Sequence, residues 1–159
     1  MTMAGRSPTN PILAHVAGHL IVETVPPGAF VWVDGALKGR TFADVVVGGG
    51  QHDVVLIVPG HRMYRGSVAT RSGAIIRRSL APIAPTTSGS ASIRVTCATQ
   101  GKYPILVDTQ ETGLLCPSTV AVSAGRHAVG IYVPAQGKIV SVETSAPEGV
   151  APSAAVFAE

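Results

Sequence analysis

The chain has 159 residues and a mass of 16.2 kDa, which fits one ordinary domain or two small ones and excludes a large multidomain enzyme. Charged residues are only 13% and hydrophobic residues reach 46%, which excludes a disordered charged tail, and a formal net charge of +3 is too mild for a dedicated nucleic-acid binder. Aromatics are 4%, with 18 Gly and 12 Pro, so Val, Ala, Ile and Leu must build the core, in the vocabulary of short strands and turns.

Residues 1–18, MTMAGRSPTNPILAHVAG, read as an N-terminal extension whose strand-like Ile12 to Val16 could add a strand to a neighbour. The extension lacks the continuous apolar core of a secretory signal, and no run in the chain approaches the ~18–20 apolar residues of a membrane-spanning helix. From His19 the pattern has period two. Leu20, Val22 and Thr24 share one face; Ala29, Val31 and Val33 alternate with Phe30 and Trp32. Asp34-Gly35 follows as a hairpin turn. Val45 to Val47 runs into Gly48-Gly49-Gly50, which can take positive φ and reverse the chain into Val54 to Val58. Met63 to Thr70 and Ala74 to Leu80 are two further runs, parted by Arg71-Ser72-Gly73. The count is about six strands and no helix. Residues 81–91, APIAPTTSGSA, read as a Pro/Ser/Thr/Gly linker.

Beyond the linker the chain repeats itself. The segment from His19 aligns with the segment from Ser92: Val22 falls on Val95, Asp34 on Asp108, Gly39 on Gly113, His52 on His127 and Pro59 on Pro134. The offset grows from 73 to 75 by single residues at turns, where insertions are tolerated. The predicted architecture is therefore all-β, two small antiparallel sandwiches in tandem, spanning 19–80 and 92–159. The halves differ in charge, with eight basic and four acidic residues in 1–85 against four and five in 91–159.

The first copy resembles the PEGA domain, named for a Pro-Glu-Gly-Ala motif. The residues that carry the resemblance are Pro26-Pro27-Gly28-Ala29, then Val31, Val33, Asp34-Gly35, Gly39 and Thr41, then Gly50, His52, Val54 and Pro59-Gly60. Pro27 stands where the motif has Glu. In the second copy the motif site is Thr99-Gln100-Gly101-Lys102, and Asp108 has no following Gly. The resemblance implies a transthyretin-like or immunoglobulin-like sandwich with no catalytic residues and no cofactor, in an envelope or extracellular setting and in a surface-layer, binding or scaffold role.

Four groups of residues are candidates for something more than packing. Cys97 and Cys116, the only cysteines, could close a disulfide across one side of the second sandwich or remain two buried thiols. His52 and His127 occupy one repeated place, and each shares a face with core residues, so capping the core edge and bonding a turn carbonyl explains them better than a ligand or general-base role. Asp34 and Asp108 read as turn residues. Strict alternation would point Phe30 and Trp32 away from the core, with Val55 and Ile57 beside them, either packed on the sister domain or on residues 1–18, or open as a candidate apolar interface. Arg62, Arg65, Arg71, Arg77 and Arg78 lie within seventeen residues free of acid, either as solvated strand arginines or as a site for an anionic partner.

No nucleophile elbow, phosphate loop or metal-ligand spacing is present. The expectation is a noncatalytic interaction module whose partner is a protein, foremost itself as a homo-oligomer or larger assembly. An anionic polysaccharide bound through Trp32 and the arginine strands is the second expectation, and a virion decoration or fibre protein the third. Neither nucleic acid nor a membrane span is expected.

Overall fold

The computed structural model describes residues 17–70, 73–84, 89–98, 103–149 and 151–157; the expected strand within Ile12 to Val16 lies outside them, as does Arg71. The described residues form fourteen strands and no helix. In the first half these are β1 (Ala17–Val25), β2 (Phe30–Val33), β3 (Ala36–Arg40), β4 (Ala43–Gly48), β5 (Gly50–Ile57), β6 (Tyr64–Thr70) and β7 (Ala74–Ser79). In the second they are β8 (Ala91–Cys97), β9 (Pro104–Val107), β10 (Gln110–Leu115), β11 (Ser118–Val122), β12 (Gly125–Val133), β13 (Lys138–Ala146) and β14 (Ser153–Phe157).

Each half is a sandwich of a three-stranded and a four-stranded sheet, in orders β4-β1-β7 and β3-β2-β5-β6, then β11-β8-β14 and β10-β9-β12-β13. The topology is the same strand for strand, with seven strands per half rather than six. The strand missed in the sequence is β3, and its equivalent is β10. A register shift interrupts each of these two strands, where Gly39 and Gly113 have φ of 151° and 82°. A bulge residue at positive φ explains why glycine recurs there. The sheets are also not purely antiparallel. The last strand of each half, β7 or β14, pairs parallel with the first, β1 or β8.

Alternation places the core as expected. Leu20 and Val22 from β1, Val31 and Val33 from β2, Val45 and Val47 from β4 and Val54 and Leu56 from β5 are buried, and Ile93, Val95, Ile105, Val129 and Ile131 repeat the pattern. Ala17–Leu56 and Tyr64–Leu80 belong to one compact unit, whereas Ile57–Met63 belongs with the described residues from Ala81 onward in the other. Backbone pairing causes this. Within that second unit Gly60 N–H donates to Gly113 O at 2.7 Å, Ile83 N–H to Gly60 O and Arg62 N–H to Ala81 O, both at 2.8 Å. The Glu111 carboxylate accepts Met63 N–H at 2.9 Å. The start of the expected linker is thus bonded structure.

One cross-strand position is solved in two ways. The β1–β4 ladder, with Val22 opposite Ala43, brings Thr24 opposite Thr41 when continued by two residues. Their hydroxyls lie 2.6 Å apart and buried. Thr24 Oγ1 donates to Pro26 O at 2.7 Å, so the Thr41 hydroxyl donates to Thr24 and accepts Ala29 N–H at 2.8 Å. This chain of bonds fixes the turn Pro26–Ala29. Continuing the β8–β11 ladder, where Val95 faces Ser118, in the same way brings Cys97 opposite Cys116. There the two cysteines form a disulfide, with Cα atoms 6.1 Å apart. Thr41 N–H bonds Ala29 O and Cys116 N–H bonds Tyr103 O, each at 2.9 Å, so the surrounding backbone matches as well.

Two stability predictions follow from these positions. Replacing both cysteines by serine destabilises the chain by about 2–4 kcal/mol, and Thr24→Val, which removes the acceptor of the Thr41 hydroxyl proton and the donor to the Pro26 carbonyl, by about 1–3 kcal/mol; urea unfolding under nonreducing conditions measures both. In the β9–β10 hairpin Asp108 and Thr109 both have positive φ, 51° and 68°, where the first copy has Asp34-Gly35. A β-branched residue is strained there, so Thr109→Gly raises the thermal midpoint, whereas Gly35→Thr lowers it.

Candidate functional site

The recurring histidines and aspartates are bonded to each other. His52 Nδ1 lies 2.6 Å from Asp34 Oδ2 and His52 Nε2 lies 2.7 Å from Gly48 O. Asp34 Oδ1 accepts Asp53 N–H at 2.9 Å, and Asp34 N–H donates to Asp53 O at 2.8 Å. In the second half His127 Nδ1 lies 2.7 Å from Asp108 Oδ2, His127 Nε2 lies 2.7 Å from Ser123 O, and Asp108 Oδ1 accepts Ala128 N–H at 2.9 Å. The turn carbonyl expected as a histidine partner is therefore present in both halves, and the carboxylate is an addition. Asp34 and Asp108 are turn residues, as read, but their side chains also reach back to the strand that carries the histidine.

Both nitrogens of each imidazole face an acceptor, an arrangement that favours the doubly protonated ring. The hydrogen bond to Asp34, then that to Gly48 O, raises the His52 pKa above its ordinary 6.5 despite desolvation; Asp108 and Ser123 O do the same for His127. Burial acts to raise the Asp34 pKa, but the bonds from His52 and the Asp53 amide outweigh it and the pKa falls below 3.8. For Asp108 the His127 bond leads the lowering. The histidine side chains are only 13% and 10% exposed. The arrangement braces the fold by tying the histidine strand to two turns.

A hydroxyl completes a triad-like outline in the second half, where Ser123 Oγ lies 3.4 Å from His127 Nε2. The proton on Nε2 is directed to the Ser123 carbonyl at 2.7 Å, and the equivalent residue in the first half is Gly48, which has no hydroxyl. Activation of a serine needs a neutral imidazole that accepts from it, and this geometry supplies the opposite.

The expected apolar interface is covered. Trp32 and Val55 are each 8% exposed and Ile57 is 2%, while Phe30 is half-buried with the Arg40 guanidinium 4.9 Å above its ring. Of the two outcomes, packed or open, Trp32, Val55 and Ile57 take the first. Val54 to Val58 is an unbroken apolar run, the mark of a strand buried on both faces rather than one. Its equivalent in the second half carries buried Leu106 and Tyr132 on the corresponding face.

Of the five arginines, Arg71 lies outside the described residues, and Arg77 and Arg78 are engaged locally. Arg77 pairs with Glu23 at 3.0 Å, and Arg78 lies 4.9 Å above the Tyr64 ring. Arg65 is exposed on β6, and Arg62 belongs to the segment that clusters with the second unit.

Two surface features were not read in the sequence. One is the outer face of β4-β1-β7, where Val46 is 61% and Ile75 is 56% exposed. The register sets Val46 beside His19 and Ile75 beside Ile21, and the pairs His19–Asp44 and Glu23–Arg77 lie on either side. Apolar residues at both alternating positions of Val45 to Val47 were the available signal. The other is a cavity of about 460 Å³ between β10 and β11, lined by Val107, Leu114, Val120 and Val122, with Gln110 and Ser123 also bordering it. Among the described residues no group of three or more His, Cys, Asp and Glu could hold a metal ion, and no helix is long and apolar enough to cross a membrane.

The braces make stability depend on pH with a definite sign. A raised histidine pKa contributes stability that is complete below 6.5 and is lost as pH rises through the folded value; a lowered aspartate pKa contributes above 3.8 and is lost as pH falls through the folded value. The urea midpoint should therefore decline as pH rises above 6.5, and Asp34→Asn with Asp108→Asn should flatten that decline. In ¹H–¹⁵N spectra across a pH series, the titration midpoints of His52 and His127 should lie above 6.5.

No curated protein and no solved structure gives a match to the chain. The family model of the PEGA domain matches residues 17–82, from the first residue of β1 to just past β7. The segment 17–82 is a PEGA domain.

Proposed function

We propose that the chain is a noncatalytic interaction module that associates with other copies of itself in an envelope-associated or extracellular structure. The observation that carries this reading is the outer face of β4-β1-β7. Val46 and Ile75 stand open on a sheet face whose charged and polar side chains His19 and Asp44, Glu23 and Arg77 are already bonded to one another, so the face offers much to another apolar surface. The PEGA domain at 17–82 supports the absence of chemistry, as does the engagement of both imidazoles in bracing. The Cys97–Cys116 bond is of the kind that persists in oxidising compartments.

The second half reads as a diverged copy of the first. Its strand order is the same, its Asp–His brace is the same, its bulge glycine recurs, and its disulfide stands where the first half has paired threonines. On this reading the chain is a tandem PEGA-type module, with a shared framework in both halves and the open apolar face in the first.

Light scattering coupled to size exclusion, across a concentration series of the nonreduced chain, tests the association. The expected mass exceeds 16.2 kDa and rises with concentration, and Val46→Ser with Ile75→Ser shifts the rise to at least tenfold higher concentration without changing the circular dichroism. A strict monomer at every concentration would remove the reading. An active-site serine probe should leave Ser123 unlabelled.

A further inference from the structure

We propose that the open side of the second sandwich is a strand-acceptor slot, filled in assemblies by residues 12–16 of another copy; this rests on the self-association reading above. Three features of the second half define the slot. The sheet β11-β8-β14 has one strand fewer than the sheet β10-β9-β12-β13 that it faces. One side of the sandwich is closed by β13 against β14. On the other side, between β10 and β11, lies the cavity of about 460 Å³ with Val107, Leu114, Val120 and Val122 on its walls. The missing strand and the open volume are on the same side.

The strand that would receive the insert is β11. It pairs on one side only, with β8, through five consecutive residues without a register shift. Its sequence, Ser118-Thr119-Val120-Ala121-Val122, contains no charge and no proline. These are the devices that ordinarily guard an edge from added strands. By contrast β10 is interrupted by its bulge, which leaves β11 as the regular template.

The occupant follows from the chain itself. Ile12-Leu13-Ala14-His15-Val16 has the five-residue length of β11, and in extended form Ile12, Ala14 and Val16 share one apolar face. Prolines at 8 and 11 precede it, and β1 begins at Ala17, so the segment is bounded on both sides. Residues 1–18 carry Arg6 and His15 and no acid, and Glu111 borders the cavity. Main-chain bonds to an edge with alternate side chains in pockets is an established mode of peptide recognition. The donor precedes the first sandwich and the acceptor is in the second, so the two are different surfaces and each copy can both give and receive a strand.

The test uses the full-length protein carrying Ile12→Asp and Ala14→Asp, together with a synthetic peptide of residues 8–18. The expected results are a self-association constant weakened at least tenfold, and peptide-induced amide shifts in the variant concentrated on Ser118–Val122. Association unchanged by these substitutions, yet abolished by Val46→Ser with Ile75→Ser, overturns the slot and leaves the self-association reading standing. A wild-type chain that is monomeric throughout, with no peptide-induced shifts, overturns both. A monomeric wild type whose Ser118–Val122 amides move when Ile12 and Ala14 are replaced shows the segment filling its own slot and overturns the exchange between copies.

Discussion

Each half of the molecule depends on a histidine that joins its two sheets. His52 lies on β5 of the four-stranded sheet, yet one ring nitrogen bonds the carbonyl of Gly48, the last residue of β4 in the three-stranded sheet. The other bonds Asp34, which closes the β2–β3 hairpin. A sandwich of this size buries few large side chains and has little apolar area with which to fix how its sheets align. Charge-assisted bonds with defined direction do that at one end of the core. At the other end, where β1 and β4 finish their ladder, the Thr24–Thr41 hydroxyl pair or the Cys97–Cys116 bond serves. The apolar residues between these two points are left mainly to fill volume.

The comparison of the two halves separates what the framework requires from what it tolerates. Aspartate, histidine and the bulge glycine recur because each satisfies backbone geometry that no other common residue satisfies as well. At the cross-strand position the requirement is only that the two strands be tied. A pair of hydroxyls can do so if a carbonyl and an amide complete their bonding, as Pro26 and Ala29 do. A covalent bond needs neither. The second half carries Tyr103 where the first has Ala29 of the Pro-Pro-Gly-Ala turn, and the tie there is covalent.

Much of this was legible in the chain. Alternation along Leu20 to Thr24 and again from Ala29 to Val33 located the core, and the drift in offset between the copies marked the turns. Asp34 with His52 and Asp108 with His127 were visible as two recurring columns, yet nothing in one column predicts that it bonds the other, because the spacing of 18 or 19 residues spans two strands. Whether Trp32 and Val55 are covered or open was not decidable from the sequence, because alternation reports direction and is silent on what lies beyond the side chain. The parallel pairing of β7 and β14 was missed because a strand's polarity relative to a distant neighbour leaves no trace in its own composition.

That parallel pairing governs how such a unit can be strung along a polypeptide. In a sheet where the first and last strands are adjacent and run the same way, the chain enters at one pole and departs at the other. Were the final strand antiparallel, both termini would meet at a single pole and a following unit would need a return path along the flank. With entry and exit separated, a copy can be appended by a short connection and neither unit need open to admit the other. A gene that duplicates this segment in frame yields a chain whose added unit still folds locally.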